Sequence, residues 1–296
     1  MARYGVTFRL ASRLLDKRTA EAIFDLYAFC RLADDLVDVH GGPGAQRELD
    51  ALQGELARGE ARSPLVARVL ERLPADSVGR QALGEFVRTM RQDLGPVRLQ
   101  TVDDLVRYAY GAAGTVGLMF CDVVGVRDRA AWPAAIDLGI AMQLTNIARD
   151  VLEDACNDRR YLPTELLGHD APAAALRGEC PVDRTAVSDA TLAVLQLARR
   201  YYVSGDRGLA YLPWRARLAA YGASRMYEGI GTKLARGGAV WWHGRTSLGV
   251  FGKLLRIAVA VASQPGPLLQ GRPPRAGHDA SLHRCLAGLP GANPPR

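Results

Sequence analysis

Residues 133–161 read PAAIDLGIAMQLTNIARDVLEDACNDRRY, and the reading of this stretch decides the fold. Trp132–Pro133 offers a helix start, because proline fits the first turn and presets φ there. No Gly or Pro interrupts the run from Ile140 to Tyr161, and Leu162–Pro163 closes it. The expectation is one helix over the whole stretch. At about 100° per residue, Asn146, Asp150 and Asp154 fall within roughly 60° of Gln143. Leu144, Ile147, Val151 and Leu152 fall off that stripe and are free to pack. An amide and two carboxylates one turn apart form an oxygen-rich face.

The pattern recurs upstream in TAEAIFDLYAFCRLADDLVDVHGGPG, residues 19–44. With Tyr27 as origin, Arg31, Asp34 and Asp38 lie within roughly 40° of one line. Asp35 sits about 100° away from Asp34, a neighbour rather than a ligand. Gly41-Gly42-Pro43-Gly44 ends that helix. A single D-x-x-x-D is more often a solvated face than a site. Two of them on separate helices, set among apolar residues, are a different matter. If the stripes face each other, four carboxylates converge in a low-dielectric interior, an arrangement that needs cations. Hard divalent ions accept all-oxygen coordination and bridge to phosphate, so Mg²⁺ gripping a diphosphate is the chemistry implied.

The chain has 296 residues, 38 Lys+Arg against 31 Asp+Glu and a net charge of +7. That length buries a large core as one unit. No run of alternating β-branched residues is long enough for a strand, so the fold class expected is all-α. The positive charge is spread along the chain without a basic block. It suits anionic small molecules or an anionic membrane surface, and no nucleic-acid motif accompanies it. Cys30, Cys121, Cys156, Cys180 and Cys285 are odd in number and lack metal-ligand spacing, and they read as buried, reduced thiols of a cytoplasmic protein. MARYGVTFRLASRLLD at residues 1–16 has no apolar signal core. No window reaches the roughly 18–20 apolar residues of a membrane span, so any membrane contact is expected to be peripheral, at the inner face of the cell membrane.

In chain order, helices are expected around 8–15 and through Asp34 and Asp38, then a polar connection over 41–61, and helices over 65–73 and 80–92. A further start falls at Thr101-Val102-Asp103-Asp104, where acidic residues suit the first turn. The helix that follows carries Gly111, Gly114 and Gly117, either for close helix packing or as a smooth wall for a long apolar ligand. Helices over 185–202, 214–236 and 247–262 complete the domain, taken as residues 1–262. The Pro- and Gly-rich remainder, 263–296, reads as a disordered tail.

These motifs together resemble the squalene/phytoene synthase family, and most closely its bacterial phytoene synthases. The resemblance runs from about Thr7 to Lys253. It rests on TFRLASRLLD, LYAFCRLADDLVD, DLGPVR, GTVGLM, QLTNIARDVLEDACNDRRYLP and YYVSGDRGLAYLP. It implies an isoprenoid-synthase-type helical bundle around a central cavity and prenyl diphosphate substrates. It implies Mg²⁺, with Mn²⁺ as an acceptable substitute, held by Asp34, Asp38, Asn146, Asp150 and Asp154. It also implies diphosphate or substrate contacts from Tyr27, Arg31, Gln143 and Arg149, contacts near the reacting end from Tyr161, Tyr227 and Arg245, and a cap from Tyr4 to Thr7. Thr7 stands where Ser is usual and keeps the hydroxyl. Leu99 replaces a tyrosine of the flap, and Ala148 and Leu152 replace Leu and Gly on the back of the helix.

The expected reaction is a head-to-head condensation of two geranylgeranyl diphosphates through a cyclopropylcarbinyl diphosphate to phytoene. No nicotinamide fingerprint is present, so NADPH is not expected. Two alternatives stay open: a dehydrosqualene or squalene-type synthase acting on farnesyl diphosphate, and a non-catalytic helical relative. Oligomeric state is not legible.

Overall fold

The computed structural model describes residues 15–37, 42–171, 173–178, 184–244 and 277–292. Asp38, Tyr4, Thr7 and Arg245 lie outside the described residues, as do the helix expected over 247–262 and most of the one expected over 8–15.

The first described helix is α1 (Lys17–Asp35), whose N-cap Asp16 accepts from the Thr19 amide at 2.9 Å. Its buried face is Ala22, Ile23, Leu26, Phe29 and Ala33, a helical stripe read directly from the spacing. α2 (Gly42–Arg58) follows at once. The polar connection expected over 41–61 is therefore a helix. Gly42, Pro43 and Gly44 sit in its first turn, and beyond them Ala45, Leu49, Leu52 and Leu56 form a buried stripe. α3 (Pro64–Arg72) and α4 (Val78–Gln92) are capped by Ser63 and Ser77. α5 (Val102–Ala109) opens on a capping box in which Thr101 and Asp104 satisfy each other's amides.

α5 passes through a π-helical turn, Tyr110–Gly114, into α6 (Thr115–Val123). α7 (Trp132–Arg149) then runs through the centre, against α6, the π turn, α11 (Arg184–Asp206) and α12 (Trp214–Arg236). The glycines explain how closely α6 and α7 approach. A Cβ on Gly117 would stand 2.3 Å from the Ala135 carbonyl oxygen, and one on Gly139 would stand 2.2 Å from that of Ala113. Each glycine rests on the other helix's backbone. Gly117→Val is therefore expected to cost more than the roughly 1–3 kcal/mol of ordinary overpacking, because a carbonyl cannot rotate out of the way. A calorimetric melt checks this, and a midpoint equal to wild type would contradict it.

The helix expected over 133–161 is shorter than its hydrophobic pattern suggests. α7 stops at Arg149, Asp150 leaves helical geometry (φ −102°, ψ 14°), and a short α8 (Val151–Cys156) resumes. Asp158 then takes φ 55° and turns the chain into β2 (Arg159–Arg160), which pairs in parallel with β1 (Val97–Arg98). Two short helices, α9 (Thr164–Leu167) and α10 (Ala173–Leu176), lead on to α11. Apart from that two-residue ladder, the described architecture is all-α.

Of the cysteines expected to be buried, Cys121 is, Cys30 and Cys285 are half-buried, Cys156 is exposed at the end of α8, and Cys180 lies outside the described residues.

The tail expected to be disordered from residue 263 is ordered over 277–292. A 3₁₀ helix, Ala280–Leu286, lays Leu282 and Leu286 into the core. The Tyr201 hydroxyl donates to the Leu282 carbonyl at 2.8 Å, and the Tyr110 hydroxyl to that of Pro290 at 2.7 Å. Composition suggested disorder, but a few well-placed apolar residues suffice when a finished surface is waiting to receive them.

Candidate active site

Between α1, α6, α7, α11 and α12 lies a cavity of about 330 Å³. Its wall is almost wholly apolar, built from Ile23, Val116, Phe120, Leu138, Met142, Leu209 and small residues including Gly117. Polar side chains reach it from Gln143 and Asn146 on α7 and from Tyr227 on α12. Asp150 and Asp154 follow Asn146 at intervals of four along the same chain direction. The cavity is thus greasy along its length and polar where the α7 stripe begins. Gly117 both lines the wall and supports the α6–α7 contact, so the two readings of the glycines are compatible there. Gly114 is buried against Tyr110 and Ile136 and serves packing.

The stripe carries unsatisfied electrostatics. Asn146 Oδ1 is buried with no hydrogen-bond partner, while its amide nitrogen lies 3.4 Å from Gln143 Oε1. Asp154 is held well above the usual carboxylate range by burial first and by the Asp150 charge next, against some relief from Arg159. Arg149 and Asp150 pair directly, with Nε 2.7 Å from Oδ1. An orphaned amide oxygen and a carboxylate whose charged form is disfavoured are what a hard cation would relieve. The donor set of Asn146, Asp150 and Asp154 therefore fits a divalent ion.

On α1, Asp34 is half-buried, and the Cys30 thiol one turn before it is pushed up by burial and by the Asp34 charge. Arg31 forms an ion pair with Asp35, one turn further along α1. Tyr27 is exposed on the same helix. Ile23, three turns before Asp34, brings α1 onto the cavity wall.

Tyr161 stands apart from the other expected contacts. It is buried outside the cavity wall, and its hydroxyl donates to Asp93 Oδ1 at 2.7 Å. Tyr108 donates to Oδ2 of the same carboxylate, also at 2.7 Å. The Asp93 charge is in turn one cause of the raised Asp154 pKa. Asp93 opens the DLGPVR motif but carries no expected role there; a further signal is an acidic residue at a helix C-terminus, where the macrodipole disfavours it. Tyr161→Phe is expected to lower stability by about 1–3 kcal/mol by leaving one carboxylate oxygen buried without its donor. If Tyr161 acted only on substrate, turnover would fall while the melting midpoint stayed put.

A helical bundle enclosing an apolar cavity, reached by the amide side chains of Gln143 and Asn146, is the architecture of an isoprenoid-synthase-type enzyme. Comparison with known proteins agrees. A family model described as squalene/phytoene synthase matches residues 1–251, and the chain belongs to that family. The 15-cis-phytoene synthase of Pantoea ananas is 33% identical over 294 residues, covering 94% of both chains. That of Synechococcus elongatus is 34% identical over 252 residues, covering 77% of this chain and 79% of its own. Among solved structures, a dehydrosqualene synthase superposes with a TM-score of 0.75 at 24% identity, over 89% of this chain and 93% of that one. A squalene synthase from Alicyclobacillus acidocaldarius gives 0.68 at 22% identity, over 80% and 90%. These two establish the fold.

Proposed function

We propose that this protein condenses two molecules of geranylgeranyl diphosphate head to head to give phytoene, releasing diphosphate at each ionisation. The observation that carries the reading is the cavity: a long apolar wall reached by Gln143 and by Asn146, whose amide oxygen is orphaned. The 33–34% identity to phytoene synthases over most of the chain supports the choice of product.

A divalent ion, Mg²⁺ by this reading, would be held by Asp34, Asp38, Asn146, Asp150 and Asp154, and would supply charge stabilisation for a leaving diphosphate. Arg31 and Arg149 add positive charge beside these carboxylates, and Gln143 offers an amide at the cavity rim. The first substrate ionises to an allylic cation, the double bond of the second attacks it, and loss of a proton closes the cyclopropane ring. The resulting cyclopropylcarbinyl diphosphate ionises in turn, rearranges and loses a proton. Water would quench either cation, and the walls formed by Phe120, Leu138, Met142 and Leu209 exclude it. The Tyr227 ring at the cavity offers a π face to positive charge, an interaction of about 0.5–2 kcal/mol. No protein nucleophile is required.

No helix among the described residues is long and apolar enough to cross a membrane. A substrate and product this apolar still favour transient contact of a cytoplasmic enzyme with the membrane surface, which we include in the proposal. The test is incubation of the purified protein with Mg²⁺ and either the twenty-carbon or the fifteen-carbon diphosphate, with products read by mass spectrometry. A forty-carbon hydrocarbon from the twenty-carbon substrate is expected. Turnover of the fifteen-carbon substrate alone would overturn the choice of substrate, and no turnover of either would overturn the enzyme reading.

A further inference from the structure

On the far side of α7 from the cavity, three side chains converge. Asp137 is fully buried, His283 is 3% exposed, and His278 reaches in from the edge. Asp137 lies roughly 160° around the helix from Gly139, so this cluster is separated from the diphosphate end and from the cavity wall. One donor atom from each residue falls within 4.8 Å of the others.

The hydrogen positions make the cluster unusual. His283 Nδ1 lies 3.0 Å from the Ala292 carbonyl oxygen, which can only accept, so that nitrogen carries the hydrogen. A neutral imidazole then presents its Nε2 lone pair to Asp137 Oδ1 at 2.7 Å. Lone pair against carboxylate at that distance needs a positive charge between them. An additional proton on His283 would supply it, and so would a metal ion. The second imidazole favours the metal. His278 Nδ1 is 3.4 Å from Asp137 Oδ2, long for a hydrogen bond. It is close to the roughly 3.3 Å that separates two ligands of one tetrahedral ion with bonds of about 2.0 Å. The hydrogen bond from His283 Nδ1–H to a backbone carbonyl is the usual outer support of a metal-bound imidazole.

We propose that Asp137, His278 and His283 form a zinc-binding site that clips the C-terminal segment to the back of α7. Two imidazoles and one carboxylate are a zinc donor set, and water or another group completes four-coordination. The Asp137–His283 contact opens by about half an ångström on binding to reach that geometry. His278, the most exposed of the three, is the side from which the ion enters.

The test uses the full chain, stripped by chelator and kept in excess Mg²⁺ so that the acidic stripe is occupied. Co²⁺ serves as the optical probe, since a tetrahedral N/O site gives visible bands far stronger than an octahedral all-oxygen one. One Co²⁺ per chain with such bands is expected, displaced by one Zn²⁺. Zinc is expected to raise the melting midpoint by roughly 5 °C. His278→Ala should weaken binding at least tenfold and abolish that rise. Absence of both the bands and the zinc-dependent rise in the unmodified chain overturns the proposal and leaves a proton shared by His283 and Asp137. Persistence of both in His278→Ala and Asp137→Asn overturns it equally.

Discussion

Asp150→Asn is expected to lower turnover by a factor of about 10²–10³ or more, the usual scale for removing one charge-stabilising group from a transition state, while the protein stays folded. Asp34→Asn should behave alike. The physical reason lies in two features of the stripe. Asp150 sits between Arg149, which it pairs with, and Asp154, whose carboxyl it pushes up. Neutralising Asp150 removes the charge of a proposed metal ligand and at the same time relieves repulsion on Asp154. Stability should therefore hold or rise as activity collapses. That opposite movement sets a ligand apart from a structural residue, whose loss lowers both. Turnover measured over a range of Mg²⁺ concentrations, beside a melting curve on the same preparation, provides the check. Near-normal rates in either variant at saturating Mg²⁺ would remove these residues from the metal site.

The acidic stripes were legible because a helix repeats every 3.6 residues, and α1 through Asp34 and α7 through Asn146 keep to that period. The spacing of α1 and the limits of α12 follow from the same rule, with Pro213 and Gly237-Gly238 as punctuation. Three features escaped it. α2 was passed over because Gly42, Pro43 and Gly44 suggest a turn, yet glycine and proline are tolerated in a first helical turn, and the Leu49–Leu52–Leu56 face does the packing. The break at Asp150 has no local signal, since aspartate is neither a strong helix former nor a stop. It arises where the chain must leave α7 to reach the β1–β2 ladder, a demand set by residues some sixty positions earlier in the sequence.

The Asp93–Tyr108–Tyr161 cluster was hidden for a related reason. Its three members come from a helix end, the last turn of α5 and the exit from β2, and no periodicity links them. A resemblance places Tyr161 near the reacting end, while the geometry commits its hydroxyl to Asp93. Both statements hold if the cluster shapes the neighbourhood of Asp154 from behind, without touching substrate.

Deleting residues 277–296 is expected to lower the melting midpoint by roughly 10 °C. Composition alone argued for no change, and the packing decides otherwise. Leu282 and Leu286 are buried, and each is worth about 1.5–3 kcal/mol when removed from water. Their loss exposes the apolar surface of α5 and α11 that they cover, and takes the acceptors from Tyr110 and Tyr201. Asp137 loses both imidazoles that face it. Freed chain entropy returns part of this, leaving a net cost of about 3–5 kcal/mol, which at 2–4 °C per kcal/mol for a large domain gives the shift stated. Turnover assayed well below the new midpoint should stay near that of the intact chain, because the segment lies on the side of α7 away from the cavity. An unchanged midpoint would show that the segment rests on the bundle without holding it. Lost turnover at full stability would mean that the back of α7 sets the position of Asn146 and Asp150 on its front.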